Sequence, residues 1–157
     1  MMNIQAIFGL QFLLSVIIIS FLLKWKVTPW LNKQSLNNAL FWLTIPHAFR
    51  HIGMVFLVPG LLTQPLPNSF AIPAAYGDLA AGLPAFIALI ALQYKWGGAL
   101  VLVWIFNIVG MVDILNALRH IDVAPSFAAA WYIPTFLVPL LLVTHFMIFV
   151  RLIRKKA

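Results

Sequence analysis

Five long apolar runs, at residues 4–23, 36–62, 71–93, 99–118 and 131–150, decide what this chain can become. A helix rising about 1.5 Å per residue needs about 20 residues to cross the hydrocarbon of a bilayer. Each run has that length or more, and the segments between them are too short to fold alone. The expected fold class is therefore all-α. It is an integral membrane bundle of five transmembrane helices, forming a single domain over residues 1–157. Charged residues make up 8% of the chain, against about a quarter in a soluble domain, so no solvated outer surface can be built. Strands of alternating polar and apolar residues are absent, which excludes a β-barrel. With no cysteine, disulfides, thiolate metal sites and cysteine nucleophiles are excluded as well.

The net charge of +7 does not mark a nucleic-acid binder, and no nucleic-acid partner is expected. Lys24, Lys26, Lys33, Lys95, Arg151, Arg154, Lys155 and Lys156 all lie at or just beyond the ends of apolar runs. Membrane proteins keep such basic residues on the cytoplasmic side. These eight follow runs one, three and five, whereas Arg119 stands alone on the other side. The N-terminus is thus expected outside and the C-terminus in the cytoplasm. The expected location is a cell membrane, of bacterial inner-membrane type, with the lipid bilayer as the partner of the outer surface. The first run has neither a basic leader nor a small-residue cleavage site, so it is expected to be a span and not a signal peptide. Five spans cannot divide into equal halves, so an inverted repeat would have to be partial or formed by a homo-oligomer.

The second run holds His47, Arg50 and His51 far from either end. A charge near the bilayer midplane costs several kcal/mol, roughly, unless it is paired or wet. Compensation is available from Asp78, inside a stretch of small residues that lets helices approach closely, and from Asp113 in the fourth run. Counting about 1.5 Å per residue from the cytoplasmic ends puts Arg50, His51, Asp78 and Asp113 at about 21–24 Å. His47 and Asn107 fall at about 15–16 Å, and His145 at about 8 Å, a layer apart. His47, Arg50, His51 and Met54 have the i, i+3, i+4, i+7 spacing of one helix face. On the fourth run Asn107 and Asp113 flank Gly110. The expected layer is Arg50 between Asp78 and Asp113 with His51 beside them, His47 lower as a bystander, and His145 near the cytoplasmic mouth.

The plainest reading of such a layer is a structural ion pair that holds the bundle in register. Two carboxylates, one Arg and two His exceed that need, and intramembrane ionisable residues are functional candidates by default. The candidate substrate- or ion-binding residues are Arg50, His51, Asp78, Asn107, Asp113, His47 and His145. A metal across His47-x-x-x-His51, completed by Asp78 and Asp113, would meet the repulsion of Arg50. A haem between His145 and His47 or His51 would need ligands at one depth. No cofactor is therefore expected. No Ser-His-Asp, GxSxG, HExxH or phosphate loop names a reaction, and whether the chain is an enzyme stays open. His120 and Asp122 read as solvated loop residues, and Trp104 as a packed one. The expected function is binding or transport of a small solute or proton. The alternatives are an embedded enzyme on a lipid-like substrate, using His51 with Asp78 or Asp113 as acid and base, or a structural subunit.

Several phrases of the chain are shared with other sequences. They are Phe49-Arg50, Gly77-Asp78-Leu79-Ala80-Ala81-Gly82-Leu83, Trp104-x-x-Asn107-x-x-Gly110-x-x-Asp113, and the run Trp131 to Pro139 followed by His145. In these the chain resembles a loose group of small bacterial hypothetical integral membrane proteins with no assigned activity, over roughly residues 49–154. The resemblance implies that Arg50, Asp78, Asn107 and His145 act as a set. It implies nothing about substrate.

Overall fold

The computed structural model describes residues 3–154. Lys155 and Lys156, counted above in the basic tail, lie outside the described residues. Five helices long and apolar enough to cross a membrane follow one another, as a multi-pass membrane protein requires. They are α1 (Ile4–Leu31), α2 (Leu36–Leu57), α3 (Asn68–Gln93), α4 (Ala99–Ala117) and α5 (Ala128–Arg154). Among the described residues there is no strand. The boundaries shift from expectation in two instructive places. The first helix does not stop before Lys24 but continues to Leu31, and the fifth extends at both ends, from Ala128 to Arg154.

Both helices pass a proline by the same backbone device. Pro29 has no N–H to donate, and its ring would strike the carbonyl of Trp25, four residues back. The helix absorbs the misfit in a π turn over Leu23–Val27, where the Thr28 N–H reaches the Leu23 carbonyl. In α5, Pro139 poses the same problem, and the Val138 N–H reaches Ile133 across the π turn Ile133–Leu137. The chain thus passes each proline without ending the helix. Ser35 caps α2 by accepting from the Asn38 N–H at 3.3 Å. Between α3 and α4 the chain reverses through Lys95 at φ 55°, with the Trp96 N–H on the Ala91 carbonyl at 2.9 Å.

Helix α3 is the hub. It packs against α2 on one side and α4 on the other, while α5 closes the bundle against α1, α2 and α4. Ala74, Ala75, Ala81, Ala85, Ala88 and Ala91 of α3 are all buried, which brings its neighbours' backbones close. Helix α1 is peripheral and exposes Leu13, Ile18 and Leu22. The contacts that dock it include the Trp131 Nε1–H on Gln11 Oε1 at 2.6 Å, and Phe8 edge-on to Trp131 with centroids 5.7 Å apart. Two apolar clusters fill the bundle. One, around Leu40, Leu43, Ala88, Phe106 and Ile148, lies toward the basic end. The other, around Phe8, Phe56, Phe70 and Phe127, lies toward the opposite end. On each of α2, α3 and α4, the polar residues in question fall in sequence between these two clusters.

Candidate functional site

Which side chains of α2 reach the interior is set by a change of helix type. Pro46 cannot donate, and three residues later the Phe49 N–H bonds the Pro46 carbonyl. From there the chain runs as a 3₁₀-helix over Phe49–Leu57. With three residues per turn, side chains at i and i+3 stand directly above one another. His47, Arg50, Gly53 and Phe56 accordingly form one buried line. His51 and Met54 rotate out of it and are exposed. The expectation of an i, i+4 face is thereby corrected. His51 is not in the Arg50 layer; its Nδ1 lies 3.2 Å from the Ala48 carbonyl on the outer surface. His47, expected to be the bystander, is fully buried.

Arg50 is 1% exposed and sits at the centre of a four-helix network. Its Nε donates to Asp78 Oδ1 on α3 at 2.8 Å, and its Nη2 to Asp113 Oδ2 on α4 at 2.5 Å. Its Nη1 donates to the Gly110 carbonyl at 3.0 Å and to His145 Nε2 on α5 at 3.2 Å. Four of the five guanidinium N–H groups are therefore engaged among the described residues. Since Arg can only donate, His145 Nε2 must accept, which places the imidazole proton on Nδ1. That Nδ1–H donates to Asn107 Oδ1 at 2.7 Å, and Asn107 Nδ2 returns a bond to the His145 carbonyl at 3.3 Å. Tautomer and ring orientation are thus fixed from both sides.

The expected separation of His145 from Arg50 is overturned by these contacts. Helix α5 runs to Arg154, four residues beyond residue 150, which lowers its end by about 6 Å and lifts His145 toward the Arg50 layer. His47 lies beside it, with ring centroids 4.0 Å apart. His47 Nε2 is 3.0 Å from Thr144 Oγ1, whose hydroxyl also reaches the Leu140 carbonyl at 2.8 Å. His47 Nδ1 is buried and has no partner among the described residues.

Three glycines make room for the network. A side chain at Gly53 would occupy the space of the Asp78 carboxylate, and one at Gly77 that of the Asp113 carboxylate. A Cβ at Gly110 would stand 2.7 Å from both Arg50 Nη1 and His145 Cε1. The readable signal was a glycine three residues after Arg50, and one three residues before Asp113.

Above Arg50, on the side away from the basic end, lies a cavity of about 310 Å³. All five helices contribute to it. Arg50, Asp78 and Asp113 form its polar floor, and Phe8, Phe12, Phe56, Phe70 and Phe127 its walls. His120, expected to be solvated, also lines it, with its ring 5.8 Å from that of Phe70. Over this end, loop and turn are stitched together by the Thr63 N–H on the Ser126 carbonyl at 3.2 Å and Gln64 Nε2 on Ser126 Oγ at 3.0 Å. Side-chain exposures of 16% for Asp78 and 14% for Asp113, against 1% for Arg50, make the carboxylates the more accessible part of this floor. Below Arg50 the way is filled by the Leu43, Phe106 and Ile148 cluster. Trp104 packs against Phe149 and lines no part of the cavity.

His47 and His51 point in different directions, His47 into the bundle and His51 out of it. Among the described residues no group of three His, Cys, Asp or Glu side chains is placed to hold a metal ion. The rings of His47 and His145 lie against each other, with centroids 4.0 Å apart.

A family model described as "Domain of unknown function (DUF8737)" matches residues 7–153. No curated protein and no solved structure matches the chain.

Proposed function

The chain belongs to this family of unknown function, DUF8737, and we propose that it binds a small, mainly apolar molecule carrying a cationic or hydrogen-bond-donating head. One observation carries the reading: two carboxylates share one guanidinium at the floor of an aromatic-walled cavity. Formally the floor holds one negative charge in excess. Asp78 Oδ2 and Asp113 Oδ1 have no hydrogen-bond partner among the described residues. A head group with N–H donors would satisfy both, and cations stack favourably on aromatic faces. The volume suits a ligand at the small end of the usual range for pockets.

Arg50 in this reading aims the carboxylates and does not contact the ligand. His145 and Asn107 in turn aim Arg50. A purely structural pair would need no cavity above it. Transport would further require the packed cluster around Phe106 to part. Catalysis by His145 is disfavoured, since both its ring nitrogens are already engaged.

The test uses purified protein in nanodiscs and three probes of one shape: phenylbutylamine, phenylbutanol and phenylbutanoate. The amine is expected to raise the unfolding temperature by about 5 °C at a hundredfold excess over Kd, the acid not at all. Asp113→Asn should abolish the difference. Equal shifts from all three probes, or none from the amine, would reject the proposal.

A further inference from the structure

A second cleft lies at the opposite, basic end, between α1 and α5. It encloses about 740 Å³ and is lined by Lys24 and Thr28 of α1, Asn32 just past its end, Leu36 of α2, and Phe146, Met147, Val150, Arg151 and Arg154 of α5. The π turn at Leu23–Val27 carries α1 past Pro29, so that Lys24, Thr28 and Asn32, spaced four residues apart, share this wall. Arg151 is drawn across the cleft by its Nη2 bond to Asn32 Oδ1 at 2.9 Å. Three cations thus converge on one opening.

The chain has no side-chain carboxylate to place there. It contains three acidic residues, Asp78, Asp113 and Asp122. Two are bound to Arg50, and the third is in the 3₁₀ turn Ile121–Ser126 at the far end. None of the three is placed to neutralise these cations. The cleft is also half apolar: Phe146, 65% exposed, lines it beside Met147 and Val150 of α5. Cations at the membrane boundary with an apolar strip leading into the bilayer match a phosphate head and its acyl chain.

We propose that the cleft between Lys24, Arg151 and Arg154 is a binding site for an anionic phospholipid, whose phosphate lies between these side chains and whose acyl chain runs along Phe146. The guanidinium of Arg151, steadied by Asn32, supplies a forked donor for the phosphate oxygens. Thr28 adds a hydroxyl. The site is independent of the cavity above Arg50.

Native mass spectrometry of the full chain, released from nanodiscs of equal phosphatidylglycerol and phosphatidylcholine, reads the retained lipid. Phosphatidylglycerol is expected to be retained over phosphatidylcholine by about tenfold. Lys24→Gln combined with Arg151→Gln should erase the preference. Arg154→Gln, which removes no hydrogen bond among the described residues, should reduce it in part and decides the matter if the double variant does not fold. Millimolar inorganic phosphate should leave the lipid in place. Equal retention of the two lipids, a preference unchanged by these variants, or displacement by inorganic phosphate would overturn the assignment.

Discussion

Arg50 Nη1 donates to Nε2 of His145, 3.2 Å away and 95 residues further along the chain. This contact ties the 3₁₀ part of α2 to the middle of α5, and it also selects the protonated nitrogen of His145. A single side chain thereby orders two carboxylates, one imidazole and one backbone carbonyl on three other helices.

Removing Arg50 would leave two carboxylates without their counter-charge, since among the described residues no other cation bonds to them. Arg50→Ala is expected to lose about 3–5 kcal/mol, the range for breaking one side of a buried pair. Arg50→Lys keeps the charge but cannot make four directed bonds, and should fall between wild type and Arg50→Ala. Denaturant unfolding in detergent, compared across the three proteins, measures this. Equal stability of Arg50→Ala and wild type would show that the network adds nothing to folding.

The glycines give a sharper contrast. Gly53→Ala and Gly77→Ala each put a methyl where a carboxylate now lies, and each should destabilise by about 1–3 kcal/mol. Both should weaken amine binding, because they displace the floor of the cavity. Gly9→Ala, in the same membrane but with open space around the position, should be neutral or stabilising by up to about 1 kcal/mol. Thermal unfolding of the three variants with and without phenylbutylamine separates these outcomes.

The two buried histidines should behave differently despite touching. His145→Ala strands Arg50 Nη1 and Asn107 Oδ1, and is expected to cost about 2–4 kcal/mol. His47→Leu removes a ring with one unpartnered nitrogen, while Thr144 keeps its Leu140 acceptor; the change should stay within about 1 kcal/mol. A large loss for His47→Leu, seen in the same unfolding assay, would mean that its Nδ1 has a partner in the membrane.

Topology can be read without background, since the chain has no cysteine. Arg119→Cys is expected to react with a membrane-impermeant maleimide added to intact cells. Lys95→Cys should react only after the membrane is opened. The reverse pattern would invert the orientation drawn from the basic residues.

The residues show unevenly how much of this was legible beforehand. Arg50 paired with Asp78 and Asp113 could be anticipated because an isolated charge in an apolar run must be compensated, and these were the carboxylates available inside the runs. The depth count placed all three at one level with no knowledge of packing. His145 was misplaced because that count hung on where α5 ends, and the extension to Arg154 moved the end. His47 and His51 exchanged roles because sequence spacing was read at 3.6 residues per turn where the chain runs at three.

By itself, then, the sequence determined the number of spans and the need for a compensated Arg50, since both follow from transfer energies that act residue by residue. Only the tertiary structure decided which histidine meets that arginine and that a cavity remains above it. Side-chain direction depends on local helix type, and open volume on how closely Gly53, Gly77 and Gly110 let the backbones approach. Neither quantity belongs to a residue alone. Both arise from the contact between α2, α3, α4 and α5.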